Sequence, residues 1–122
     1  MTIKEVSEIT KLSEDTLRYY EKEGLIGPIK RNKNGIRDYE EKDINALEFI
    51  VCMRGAGLSI GALSKYLGLF KQGDKTIKER KEILENQRKI LEEKLEKMNV
   101  AYKRLNYKIE LYDNKLLENK LK

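Results

Sequence analysis

The stretch SEDTLRYYEKEG, residues 13–24, decides the fold. Ser13 suits a helix N-cap, because its hydroxyl can accept from an amide two or three residues on. Glu14 and Asp15 then place negative charge at the positive end of the helix dipole. Gly24 supplies the left-handed residue that ends such a helix. At 3.6 residues per turn, Leu17 and Tyr20 share one face, while Asp15, Arg18, Tyr19 and Lys22 share another. The first face is made to pack, the second to meet something outside the chain.

Upstream, Thr2-Ile3-Lys4-Glu5 reads as a capping box, so a helix is expected from residue 3 with Ile3, Val6 and Ile9 as its apolar positions. Ser7 is small enough for a second helix to cross closely. Thr10-Lys11-Leu12 leaves room only for a tight turn into the Ser13 helix, and two short helices joined this way make a helix-turn-helix. Downstream, residues 28–37 hold Lys30, Arg31, Lys33 and Arg37 with no acidic residue among them. They surround Asn34-Gly35, a strong hairpin-turn signal, so a two-stranded wing with a cationic tip is expected. Such a ribbon beside a helix pair suits the phosphates of a duplex, contributing affinity and register more than sequence choice.

A third helix is expected over residues 40–53. It is acidic in its first turn and apolar almost continuously from Ala46 to Met53 apart from Glu48, which marks it as the backbone of the core. Gly55-Ala56-Gly57 ends it, and Ser59 can cap a fourth helix carrying Ile60, Leu63, Tyr66 and Leu67. From about Thr76 to Leu116 there is neither glycine nor proline. One heptad position there recurs as Ile77, Leu84, Leu91, Met98, Leu105 and Tyr112. The other recurs as Lys81, Arg88, Leu95, Tyr102, Ile109 and Leu116. A helix this long cannot bury its own stripe, and a second copy of the chain is the simplest partner. Leu91, Leu95, Met98, Tyr102, Leu105, Ile109, Tyr112 and Leu116 are the expected dimerisation seam.

Composition narrows the chemistry. The 122 residues contain no histidine and one cysteine, Cys52, which excludes imidazole catalysis, histidine metal ligation, an internal disulfide framework and a multi-thiolate zinc site. No metal or cofactor is expected, and no enzymatic activity. No signal peptide or membrane-spanning run is visible, so a cytoplasmic protein with no membrane partner is expected. The net charge of +5 is unevenly spread: residues 1–39 carry eight basic and seven acidic groups, residues 71–122 fifteen and ten. The local cation cluster of the wing therefore says more about a partner than the total does.

The strings Thr16-Leu17-Arg18-Tyr19-Tyr20-Glu21, Glu23-Gly24-Leu25-Ile26 and Gly35-Ile36-Arg37-Asp38-Tyr39 together resemble the MerR family of bacterial transcription regulators. The resemblance runs from about Thr2 to Leu69, followed by a helix like that family's dimerisation helix. It implies a mainly α protein: a winged helix-turn-helix DNA-binding head at residues 1–70, a linker at 71–75, an antiparallel coiled-coil dimerisation helix at 76–118 and a tail at 119–122. It also implies a homodimer on a pseudo-palindromic promoter operator, which it bends and untwists, meeting bacterial RNA polymerase only through the shared promoter. The expected DNA-binding residues are Ser13, Thr16, Arg18, Tyr19, Lys22, Lys30, Arg31, Lys33, Arg37 and Tyr39. Tyr39 could equally pack the wing onto the core. Lys11 stands where the family usually has a turn glycine, which suggests a different turn conformation, and Ile36 stands where it usually has tyrosine.

Cys52 carries the remaining chemistry. A subgroup of the family keeps one cysteine in the third helix, where it responds to electrophiles or to oxidative and nitrosative stress, and Cys52 resembles that arrangement. Against a reactive thiol, Glu48 lies at i−4 and no basic residue lies at i±3 or i±4, so a buried, inert cysteine is the plainer expectation. The reading from a different class is a coiled-coil adaptor with a basic surface and no specific operator. It explains the C-terminal charge but not a helix pair followed by a cationic wing.

Overall fold

A computed structural model of the chain describes residues 1–114. The elements are α1 (Ile3–Thr10), α2 (Glu14–Lys22), α3 (Glu41–Gly55), α4 (Ile60–Lys71), a single 3-10 turn (Asp74–Thr76) and α5 (Ile77–Asp113). The chain divides into two compact units, Met1–Glu85 and the part from Asn86 onward, with the boundary inside α5. The first unit therefore includes residues 71–75 and the opening turns of the long helix. Among the described residues, no helix is long and apolar enough to cross a membrane.

The first unit starts as its local signals dictate. Thr2 Oγ1 accepts from the Glu5 amide at 3.2 Å and Glu5 Oε1 accepts from the Thr2 amide at 3.0 Å, completing the capping box. Those hydrogen bonds hold the Glu5 carboxyl below the usual carboxylate range. Val6 and Thr10 are the buried residues of α1, and Ile9, read as an apolar packing position, is 48% exposed. It falls outside the narrow stripe that faces the core. Lys11 is left-handed, with φ 63° and ψ 17°, and its amide donates to the Ser7 carbonyl at 2.9 Å. This corrects the expectation of a different turn: lysine here adopts the conformation that glycine would adopt freely, at a cost of about 1–2 kcal/mol. The Ser7 hydroxyl donates to the Leu12 carbonyl and closes the turn from inside.

Helix α2 begins with the Thr16 amide donating to Ser13 Oγ at 3.1 Å. It ends with the Leu25 amide on the Tyr20 carbonyl at 2.9 Å and the Gly24 amide on the Glu21 carbonyl at 3.1 Å, Gly24 having φ 78°. That pair of bonds is the Schellman ending, with Leu25 and Tyr20 both buried beside it. Gly57 repeats it at the end of α3, where the Leu58 amide donates to the Met53 carbonyl at 3.0 Å. Ser59 caps α4 by accepting from the Ala62 amide at 3.1 Å.

Val6, Leu17, Leu25, Ile26, Leu47, Ile50 and Leu63 form the centre of the core, with Tyr20, Ile29, Tyr39 and Leu58 around them. Each large apolar side chain so buried contributes on the order of 1.5–3 kcal/mol. Residues 71–75, expected as a linker, form an ordered joint. The buried Thr76 hydroxyl lies 2.7 Å from the Leu69 carbonyl and 2.8 Å from that of Gly73, and it accepts from Arg80 Nε at 3.0 Å. The Arg80 guanidinium also sits 5.1 Å over the Phe70 ring.

In the second unit, α5 carries the heptad stripe into solvent. Leu95, Met98, Tyr102, Leu105, Ile109 and Tyr112 are all more than half exposed, and Leu91 is partly buried. Five of these, Leu95, Met98, Tyr102, Leu105 and Ile109, left on one helix face in a single chain are the mark of a surface awaiting a partner. Leu116, the last expected seam residue, lies outside the described residues, as do the end of the expected coil and the tail at 119–122.

Candidate nucleic-acid interface

The packing face of α2 is fixed by Leu17, fully buried, and Tyr20, 8% exposed. With that face turned inward, Asp15, Arg18, Tyr19 and Lys22 stand exposed on the other side, as their spacing predicts. Arg18 does not float: Nη1 donates to Asp15 Oδ1 at 3.0 Å and Nη2 to Glu14 Oε1 at 3.2 Å. Exposed pairs of this kind are worth well under about 1 kcal/mol, so a phosphate or a base edge can replace them. The Tyr19 ring lies 6.3 Å from that of Tyr20, tilted by 52°, which holds it on the surface. In the first turn the Ser13 and Thr16 hydroxyls are 2.8 Å apart and bonded to each other, so both serve the cap.

The wing is pinned by one antiparallel bridge, Arg31 to Arg37, instead of the expected two-stranded ribbon. The Asn32 amide donates to the Ile36 carbonyl at 2.8 Å and the Asp38 amide to the Lys30 carbonyl at 2.7 Å. Beyond these, Pro28 has no amide to offer, and the Ile36 amide is drawn to the Asn32 side chain at 3.1 Å. The turn also differs in register. Gly35 alone is left-handed, at φ 76°, and its amide closes on the Asn32 carbonyl at 2.9 Å, so Lys33 and Asn34 form the corner. Asn32 Oδ1 takes the Asn34 amide as well, at 2.9 Å. This is the longer hairpin loop with a glycine bulge, not the two-residue turn that Asn-Gly advertises.

Three of the four wing cations face solvent: Lys30, Arg31 and Lys33 are exposed. Arg31 Nη1 donates to the Gly35 carbonyl at 3.2 Å, bracing the tip. Arg37 is different. Its Nε donates to Glu21 Oε1 at 2.7 Å, with the two side chains only 24% and 14% exposed. Glu21 Oε2 accepts the Ile29 amide at 3.1 Å, so one carboxylate on α2 grips the wing at two points. Burial acts to raise the Glu21 pKa, but the hydrogen bonds from Arg37 and Ile29 and the charges of Arg37 and Arg31 prevail and hold it below the usual range.

Tyr39 corrects the list of expected DNA contacts. It is 3% exposed, and its amide donates to the Met1 carbonyl at 2.8 Å. Its hydroxyl is buried with no hydrogen-bond partner, and burial pushes its pKa up. The ring seats the wing on the core, the alternative that the sequence left open. Cys52 departs from the plainer expectation in the opposite sense, being exposed on α3.

Two residues have a part in the site that the sequence did not assign to them. Glu21, four after Leu17, lies on the packing side of α2, and an acid on such a face requires a cation; that spacing was the available signal. Ile36, noted in the sequence only as standing where the family usually has tyrosine, is 55% exposed and gives the wing an apolar side chain at its surface.

Residues 1–69 match the family model described as MerR HTH family regulatory protein, and residues 44–107 match the one described as MerR, DNA binding. The chain is 54% identical over 91 residues to the HTH-type transcriptional regulator AdhR of Bacillus subtilis strain 168, covering 75% of this chain and 65% of AdhR. It thus spans just under two thirds of that relative. A MerR family transcriptional regulator from Listeria monocytogenes superimposes with a TM-score of 0.87 at 46% identity, covering 93% of this chain and 86% of the other. HiNmlR, described as a MerR family regulator lacking the sensor domain and solved bound to promoter DNA, gives 0.81 at 30% identity, covering 93% and 90%. A capped helix pair, a braced cationic wing and a long apolar-striped helix, matched by two family models over most of the sequence, have one origin: the chain belongs to the MerR HTH family of regulatory proteins.

Proposed function

We propose that this chain is a transcription regulator that binds a pseudo-palindromic promoter operator as a homodimer and bends and untwists it. The carrying observation is the exposed face of α2, with Arg18, Tyr19 and Lys22 beside the solvent-facing Lys30, Arg31 and Lys33, in a chain so similar to a regulator solved on promoter DNA. In this reading α2 enters the major groove, where Arg18 exchanges its intrahelical partners for a phosphate or base, and Tyr19 and Lys22 contact the backbone. The wing lysines and Arg31 lie along phosphates. Ser13 and Thr16 present the first turn, and Arg37 acts by holding the wing.

Residues 1–70 are the reading head and residues 76–118 the dimerisation helix, joined by the ordered segment 71–75. The apolar stripe from Leu91 to Tyr112 pairs with its copy in an antiparallel coiled coil, which supports the expectation of two half-sites. The chain binds without catalysing, in the cytoplasm, and polymerase meets it through the promoter. The exposure of Cys52 leaves its thiol open to an electrophile, and thiol modification is the proposed input.

Selection of duplexes from a random DNA pool tests the reading, run with reduced protein and with protein alkylated at Cys52. An inverted repeat enriched in either state supports the regulator, and different enrichment between states supports the thiol input. No enrichment in both would leave the adaptor.

A further inference from the structure

Between the loop that leaves α2 and the facing sides of α3 and α4 lies a groove of about 620 Å³, within the range of small-molecule sites. All of its lining belongs to the unit Met1–Glu85. Leu25, Ile26 and Pro28 form one wall, and Phe49, Tyr66 and Leu67 form much of the other. The Phe49 and Tyr66 rings stand 5.6 Å apart at 32°, presenting a broad apolar surface from which a hydrocarbon would displace water.

Charge selects the class of ligand. The charged lining residues are Lys42, Lys71 and Asp43. Asp43 is 5% exposed and its carboxylate accepts the Glu40 amide at 2.8 Å, so it is turned to the start of α3. The two lysines are exposed, and Lys71 gives one proton to the Gly24 carbonyl at 3.0 Å, leaving others to offer. An apolar lining that includes two lysines, with its one acid committed elsewhere, complements an amphipathic anion.

We infer that this groove binds a small apolar carboxylate, an aliphatic or aromatic acid whose hydrocarbon lies against Leu25, Phe49 and Tyr66 and whose carboxylate engages Lys42 and Lys71. The site is coupled to α2 and the wing by two connections. Gly24 is the left-handed residue that ends α2, so an acid that draws Lys71 from the Gly24 carbonyl alters the support of that end. The wall formed by Leu25, Ile26 and Pro28 continues into the wing. Occupancy therefore changes operator affinity, and this second statement rests on the DNA-binding reading above, whereas the binding itself does not.

The test uses the 122-residue chain free of DNA, decanoate as the probe, and 1-decanol and decylamine as neutral and cationic counterparts, followed by amide NMR. Saturable shifts centred on Leu25, Ile26, Phe49 and Leu67 are expected, with decanoate binding about tenfold more tightly than decanol through charge-assisted hydrogen bonds. The double variant Lys42→Gln, Lys71→Gln should erase that preference with the spectrum otherwise native, and Ala46→Trp should block the groove. Absence of saturable shifts, equal binding of decylamine, or shifts centred on α5 would overturn the site. With operator present, decanoate should change Kd by about fivefold or more. An unchanged Kd with the amide shifts intact would overturn the coupling, while failure to bind operator without decanoate would instead count against the DNA-binding reading.

Discussion

The Arg37 Nε and the Glu21 Oε1 are 2.7 Å apart, joining the last residue of the wing bridge to the packing side of α2. The same carboxylate takes the Ile29 amide, so Glu21 fixes where the wing leaves the helix that it accompanies.

Replacing Arg37 by Ala should therefore destabilise the protein by about 1–3 kcal/mol, because a partly buried carboxylate loses its charged partner. The pH dependence has a definite sign. Glu21 titrates below its unfolded value of about 4.3, so its contribution is full above that pH and is lost as pH falls through the lower folded pKa. The stability difference between the native protein and Glu21→Gln should accordingly shrink on acidification from pH 6 to pH 3, as followed by urea midpoints; a constant difference would refute the linkage.

Arg18 behaves in the opposite way. Arg18→Ala removes only two exposed ion pairs, so the melting temperature should hardly move while operator binding falls by about tenfold or more. A large loss of stability would make Arg18 a structural residue.

Tyr39→Phe deletes a buried hydroxyl that has no partner. Stability should stay level or rise by about 1 kcal/mol, and operator affinity should be retained. Thermal melts and a binding isotherm decide it; lost affinity with intact folding would restore Tyr39 to the DNA contacts.

Ile109 is 57% exposed on α5 in the single chain. In the proposed dimer, Ile109→Asp should give monomers in sedimentation velocity by placing a charge in each copy of the proposed seam. An unaltered profile would show that the apolar stripe pairs in another register.

Lys11→Gly should stabilise the head by roughly 0.5–1 kcal/mol, the left-handed penalty at φ 63° outweighing glycine's extra freedom in the unfolded chain. Denaturant midpoints give the difference directly, and destabilisation would mean that the lysine stem packs usefully.

Where the signals were local, the sequence sufficed. Ser13, Ser59 and Thr2 cap the helices that they announce, and Gly24 ends α2, because a cap is decided within four residues. Inside and outside were harder to assign on chain segments apolar or cationic on several sides. Helix α3 offers hydrophobic side chains in a nearly continuous run, so spacing could not choose between Ile50 and Cys52 as the buried residue; contact with the neighbouring helices did. Arg37 and Tyr39 look like further members of a basic, aromatic surface until Glu21 and the core claim them. The wing's register was missed because a side chain, that of Asn32, set it, while Asn34-Gly35 supplied only one of the two left-handed residues that the shorter turn demands.

That Asn32 amide group, bonded to two backbone amides, with Arg31 bonded to the Gly35 carbonyl, means that the wing tip is folded before any duplex arrives. A loop already in shape has no conformational search to complete on contact. The speed of encounter with DNA should then follow diffusion and ionic strength, rising as salt is diluted, with no slow ordering phase to set a ceiling on it.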